Sequence, residues 1–239
     1  MAVKIDFPKT LTKAEFLERP NRFVIHCRLP DTGEEVAAHL ADSGRLTELL
    51  VPGAAVWLLE SGNPNRKTKW SAVLCENEEK NGLVSINTSY PNKLVEKALQ
   101  AGVLEEFSGW SYKQAEFKLG GSRWDFLLEN GEGRQLLLEV KSVTLAYSGR
   151  GLFPDAVTAR GTKHVRELTK YAKDSRYETA IFFVAQREDI ESVSPAAHID
   201  AAFAEALREA EQAGVRLLAR TCRVSLEGIE MGRAIPVVV

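Results

Sequence analysis

Apolar residues in the first third of the chain fall in short runs broken by turn residues. From Arg22 onward these runs span 22–29, 34–40, 54–61, 68–76 and 82–88. Pro30-Asp31-Thr32-Gly33, Pro52-Gly53, Gly62-Asn63-Pro64-Asn65 and Asn81-Gly82 separate them, which is the punctuation of consecutive strands. After Thr88 the period changes. Leu94, Val95, Ala98 and Leu99 share one face of a helix over 92–101, capped by Ser89 or Asn92 and closed by Gly102. Strands follow at 111–119, 123–129 and 135–143, then a helix at 158–173, a strand at 179–185, a helix at 201–213 and a strand at 216–225.

The change of pattern sets a domain boundary near residue 88, with units 1–88 and 89–239. Five short strands in the first unit predict a small barrel. The OB type is a compact five-stranded architecture that commonly takes single-stranded nucleic acid; an SH3-like or other small barrel fits the same spacing. Between the second and third runs, a turn at Asp42-Ser43-Gly44 leads into a short helix predicted over 45–50. Ser43, Gly44 and Arg45 at its start would suit a phosphate, and the same letters fit a capping serine beside an exposed arginine. Phe23, Trp57 and Trp70 are either barrel core or stacking platforms for bases.

The hairpin 122–142 carries the candidate chemistry. Asn130-Gly131-Glu132-Gly133 makes its turn, and each strand holds one acid among apolar neighbours: Asp125 between Trp124 and Phe126, and Glu139 between Leu138 and Val140. Ionised side chains in such runs are costly unless a cation or hydrogen-bond donors meet them. Alternation along a strand puts Glu139 and Lys141 on one face. If Asp125 lies on the neighbouring strand, two carboxylates and one ammonium converge, a set that suits Mg²⁺ or Mn²⁺ with Lys141 orienting water or phosphate. A cross-strand ion pair would use the same letters. The helix at 158–173 adds a stripe of Arg160, Lys163, His164 and Lys170 for phosphate contact, or else a solvated face with a Lys163–Glu167 pair. The segment 143–161 is too long for a tight connection and reads as a functional loop.

The Asp then Glu-x-Lys pattern resembles that of PD-(D/E)XK nucleases, and the order α-β-β-β-α-β matches their common core. In that fold the first helix often supplies another acid, a position filled here by Glu96, which would otherwise sit on the polar face of its helix. Glu116 on the first strand competes for that role.

Composition narrows the setting. With 44% hydrophobic and 27% charged residues the chain is an ordinary globular protein, and no run approaches a membrane span or the apolar stretch of a signal peptide, so a cytoplasmic location is expected. Cys27, Cys75 and Cys222 lack disulfide or zinc spacing and read as core thiols. A net charge of −2 means that any contact with nucleic acid must come from a local patch.

Several strings taken together resemble the sugar fermentation stimulation protein A (SfsA) family of prokaryotes. They include Arg22-Phe23, His39-Leu40-Ala41-Asp42-Ser43-Gly44-Arg45, Pro91-Asn92, Glu139-Val140-Lys141-Ser142 and the run from Phe153 to His164. Asp42-Ser43 stands where the family usually has Asn-Thr. The resemblance implies an α/β (α+β) chain, an OB-like barrel joined to a PD-(D/E)XK nuclease-like domain. It implies DNA binding with little sequence preference, with the choice between single-stranded and duplex DNA left open, and a link to the regulation of sugar, particularly maltose, metabolism. Asp125, Glu139 and Lys141 carry its acid-lysine motif; the roles of Asp155, Lys163 and His164 stay open. The expectation is therefore a DNA-binding protein with a Mg²⁺-dependent phosphodiesterase site, its metal held by Asp125 and Glu139. The rival is a non-catalytic DNA-binding regulator. A carbohydrate-binding reading rests on the family name alone.

Overall fold

A computed structural model describes residues 3–63 and 65–239. Met1, Ala2 and Pro64, the last in the turn expected at 62–65, lie outside the described residues. The first strand, β1 (Lys4–Asp6), is followed by β2 (Thr12–Asn21), β3 (Val24–Arg28), β4 (Glu35–Leu40), β5 (Ala55–Glu60), β6 (Trp70–Glu76) and β7 (Leu83–Ser85). Antiparallel pairs in the order β4-β3-β2-β5-β6, closed by a parallel β4–β6 pairing, make the five-stranded barrel.

The barrel is as expected, but its membership differs. β2 takes part, whereas the run at 82–88 shrinks to β7, which pairs with β6 outside the closure. Within β2 only Ala14 and Phe16 point into the core, so its many charged residues and Pro20 masked it. The helix expected at 45–50 is a single turn, closed by the Leu50 N–H to Leu46 carbonyl bond of 2.8 Å. Leu46 itself has φ 52° and is wholly buried with Leu49, so filling the barrel end outweighs helix propensity in so short a piece.

The second unit contains α1 (Ser89–Ala101), β8 (Trp110–Leu119), β9 (Ser122–Asn130), β10 (Gln135–Val143), β11 (Ala146–Tyr147), β12 (Arg150–Phe153), α2 (Ala159–Ala172) and β13 (Tyr177–Ala185). It closes with β14 (Ser192–Pro195), α3 (Ala201–Gln212), β15 (Arg216–Val224) and β16 (Gly228–Ile235). The order α1-β8-β9-β10-α2-β13, with β11 and β12 inserted after β10, is the α-β-β-β-α-β order expected from the sequence. β11 and β12 occupy the segment expected as a loop and join β14 in a small sheet, while β1 pairs with β16 at the edge of the main one. The main sheet runs β1-β16-β15-β13-β10-β9-β8.

Alternation along β10 sorts the two cores. Leu136, Leu138 and Val140 pack with Leu94, Val95 and Ala98 of α1, whereas Leu137 and Val143 pack with Val165 and Leu168 of α2 and Phe203 of α3. Glu139 and Lys141 therefore face α2. All three cysteines are free and buried, and no described helix is long and apolar enough to cross a membrane.

The units are joined at Arg187, which is 3 % exposed. Its guanidinium donates to both Glu78 oxygens at 3.1 and 2.8 Å, to Asp189 and to the Thr144 carbonyl; Asn77 also donates to Asp189. Ser85 donates to Gln186 across the same junction at 2.8 Å. Burial strips water from the guanidinium, yet the acids around it hold its pKa above the ordinary arginine value. Removing it would leave two acids facing each other without their cation. Arg187→Ala is expected to lower unfolding stability by about 2–4 kcal/mol in urea titrations.

Candidate active site

Strands β9 and β10 pair from Gln135–Glu129 to Leu138–Phe126 and then part. The Asp125 side chain occupies the fork. Its Oδ2 accepts the Val140 N–H at 2.7 Å, a donor that the departing strand leaves without a backbone partner, and Oδ1 accepts from the Asn92 amide at 2.7 Å. On the other side of β9, Glu116 adopts φ 53° between the Ala115–Phe126 and Phe117–Trp124 pairs.

Glu139 and Lys141 project together, as strand period requires. The Lys141 Nζ donates to Glu139 Oε1 at 2.6 Å, and His164 Nδ1 donates to the same oxygen at 2.8 Å. His164 reaches it from α2 and lies edge-on to the buried Trp124, ring centroids 5.7 Å apart. Glu139 is only 5 % exposed. Burial alone would push its carboxyl up, but the Lys141 ammonium and the His164 bond hold it below the usual glutamate value. Asp125 moves the other way: burial, then the charge on Glu139, push it up to about 6, against the pull of the Val140 N–H. The two acids thus sit in one desolvated site with opposite shifts.

These groups line a cavity of about 170 Å³ together with Arg123, Thr158, Arg160 and Gly161. Among the described residues no group of three or more His, Cys, Asp and Glu side chains is arranged to hold a metal ion. The donor set nevertheless fits a hard divalent cation that keeps part of its water shell, since such ions are commonly held by one or two carboxylates. Lys141 and His164 both meet Oε1 of Glu139, which leaves Oε2 out of both bonds, and the raised Asp125 carboxyl is a charge that a cation would relieve.

The other expected site residues are dispersed. Glu96 is one turn beyond Asn92 and accepts from the Tyr112 hydroxyl at 2.8 Å, so the α1 side chain that reaches Asp125 is Asn92. Glu116 is exposed and pairs with Arg123 at 3.1 Å. Arg160 borders the cavity, and Lys163 lies on its outer rim, 3.7 Å from Glu167. His164 is turned inward to Glu139 and so leaves the basic stripe. Lys170, in the last turn of α2, lies outside the residues lining these cavities. Arg45 is exposed with no helix behind it, and Arg22 is the barrel arginine that lines the cleft between the units. Arg19 instead binds backbone, donating to the carbonyls of Arg22, Asp42, Gly44 and Arg45. Trp57 is core, while Phe23 is half exposed.

Two site residues were missed although a signal existed. Asn92 shares a helix face with Glu96 at four-residue spacing, and Arg123 precedes Asp125 by two in the same strand.

Comparison with known proteins agrees with this architecture along its length. A family model described as the sugar fermentation stimulation protein RE domain matches residues 89–228, and one described as the SfsA N-terminal OB domain matches 17–86. The sugar fermentation stimulation protein homolog of Shouchella clausii is 51% identical over 229 residues, covering 96% of this chain and 98% of its own. The Moorella thermoacetica homolog is 45% identical over 223 residues, covering 92% and 93%. The solved structure of Pyrococcus furiosus SfsA in complex with Ca²⁺ is similar with a TM-score of 0.89 at 28% identity, over 100% of both chains. The chain belongs to the sugar fermentation stimulation protein family.

Proposed function

We propose that this chain is a DNA-binding protein of low sequence specificity whose C-terminal unit hydrolyses phosphodiester bonds with Mg²⁺ or Mn²⁺. The observation that carries this reading is the meeting of Asp125 and Glu139 at the strand fork, with Lys141 fixed beside them. A relative of the same fold has been solved with Ca²⁺, a hard divalent ion of the kind two carboxylates take. Asp125 and Glu139 would hold the cation, which when bound supplies an activated water and neutralises charge on the scissile phosphate.

The remaining work falls to the chain itself. The Val140 N–H and Asn92 lock the Asp125 rotamer, and His164 does the same for Glu139. Lys141, 2.6 Å from Glu139, is positioned to donate to the attacking water or to a phosphate oxygen as negative charge builds there. Arg123 and Arg160, lining the same cavity, would take the flanking phosphates. Contacts of this type read backbone and not bases, which accounts for low sequence preference.

When end-labelled single-stranded, duplex and branched DNA are compared with Mg²⁺ or Mn²⁺ present, cleavage of at least one form is expected, with chelator abolishing it and Glu139→Ala reducing it at least ~100-fold. DNA that is retarded but uncut, equally by parent and variant, would support the non-catalytic regulator instead.

Asp125 gives a second test. Its carboxyl titrates near 6 in the fold against 3.8 in the unfolded chain, so the fold is favoured while the group is protonated. That stabilisation is lost as pH rises through about 6. Asp125→Asn is therefore expected to exceed the parent in stability by ~1–2 kcal/mol at pH 8 and to lose that advantage below pH ~4, as read by urea unfolding. Millimolar Mn²⁺ should raise the melting temperature of the parent at pH 8 and leave that of Asp125→Asn unchanged.

A further inference from the structure

We propose that the site lies midway along an open groove that takes one strand of DNA, and that the strand is cut internally. The second half of this inference rests on the nuclease reading; the first stands on the groove alone. The 170 Å³ cavity at Glu139 shares Arg123, Arg160 and His164 with a space of about 660 Å³ on the side of the β8–β9 turn, and Lys141, Thr158 and Arg160 with a cleft of about 720 Å³ between the two units. Arg160 borders all three. A strand reaching the acids thus has an exit on either side, and nothing in this geometry demands a strand end.

The two arms differ in chemistry. Lys118, Arg123 and Lys163 line the outer arm, a surface for phosphates alone. In the inter-unit arm the cations Arg22, Lys141 and Arg160 are joined by an apolar wall of Leu145, Leu152, Phe153 and Val157, of which Val157 is 71 % exposed. A row of cations beside an apolar wall serves a ligand with phosphates on one side and free base faces on the other. Only a single strand presents both, because a duplex hides its bases in the stack and offers phosphates outward. Asp42 and Asp155 line the barrel end of this arm beside Arg22, which gives that end both signs of charge, whereas the Lys141–Arg160 end next to the site also offers cations to a phosphate. Gly44 packs against Asp155 so closely that any side chain there would overlap its carboxylate, which holds the barrel loop against the 155 segment at that end.

The test uses the full chain in two arms. With chelator present, fluorescence anisotropy compares a labelled thymidylate oligomer of about 20 nucleotides with a duplex of equal length, a length that exceeds one typical single-strand site. Tighter binding of the single strand by at least ~10-fold is expected, and Val157→Asp, an exposed position that leaves the fold intact, should weaken that binding about 5- to 30-fold without changing duplex binding. With Mn²⁺ present, a closed circular single strand should be linearised. Equal or tighter duplex binding, or no effect of Val157→Asp, would overturn the single-strand groove. A circular strand left whole while a linear one is shortened from its end would overturn internal cutting and leave the nuclease reading in place. Selective, Val157-dependent binding with no cleavage of any DNA would support the groove and defeat the nuclease reading alone.

Discussion

The bond from the Val140 N–H to Asp125 is the constraint on which the rest of the site depends. A strand that leaves its neighbour exposes a backbone donor, and burial makes an unmet donor costly. The Asp125 carboxylate meets that donor, which lets β9 and β10 separate without penalty at the point where a cavity is required. The same bond fixes the carboxylate beside Glu139, and burial, then the charge on Glu139, push Asp125 up to about 6. A backbone necessity and a chemical one are thereby satisfied by one side chain.

Around this fork, charge is arranged in layers. Glu139 is held ionised by Lys141 and His164, both bonded to its Oε1, while Arg123 and Arg160 stand further out at the solvent edge of the cavity. Trp124 supports His164 from below, and the α2 helix that carries His164 also carries Arg160 and Lys163. One helix thus supplies the brace of the inner site and the rim of the outer groove. The barrel is tied to the second unit by Arg187, which bonds Glu78 of the barrel as well as Asp189.

Much of this was legible in the chain. The period change after Thr88, the glycine turn at 130–133 and the acids set among leucines carried the fold order and the central cluster, because strand alternation and the cost of buried charge are local rules. Edge and shared elements were not legible. β1 is three residues long and earns its place only by pairing with β16, a partner more than two hundred residues away. β2 reads as polar because a barrel strand buries one face, and here that face is Ala14 and Phe16.

By itself the sequence determined the order of the central elements and the acid-lysine set on neighbouring strands, since both follow from residue type and spacing, and its longer strings carried the family resemblance. Tertiary structure decided which polar residues meet that set. Helical spacing put Glu96 and Asn92 on one face equally well, and only the tilt of α1 over the sheet brings Asn92 to Asp125 and leaves Glu96 to Tyr112. The sequence grouped His164 with a basic stripe; the packing of α2 against β10 turned it inward to Glu139, because a helix placed on a sheet buries whichever positions face it.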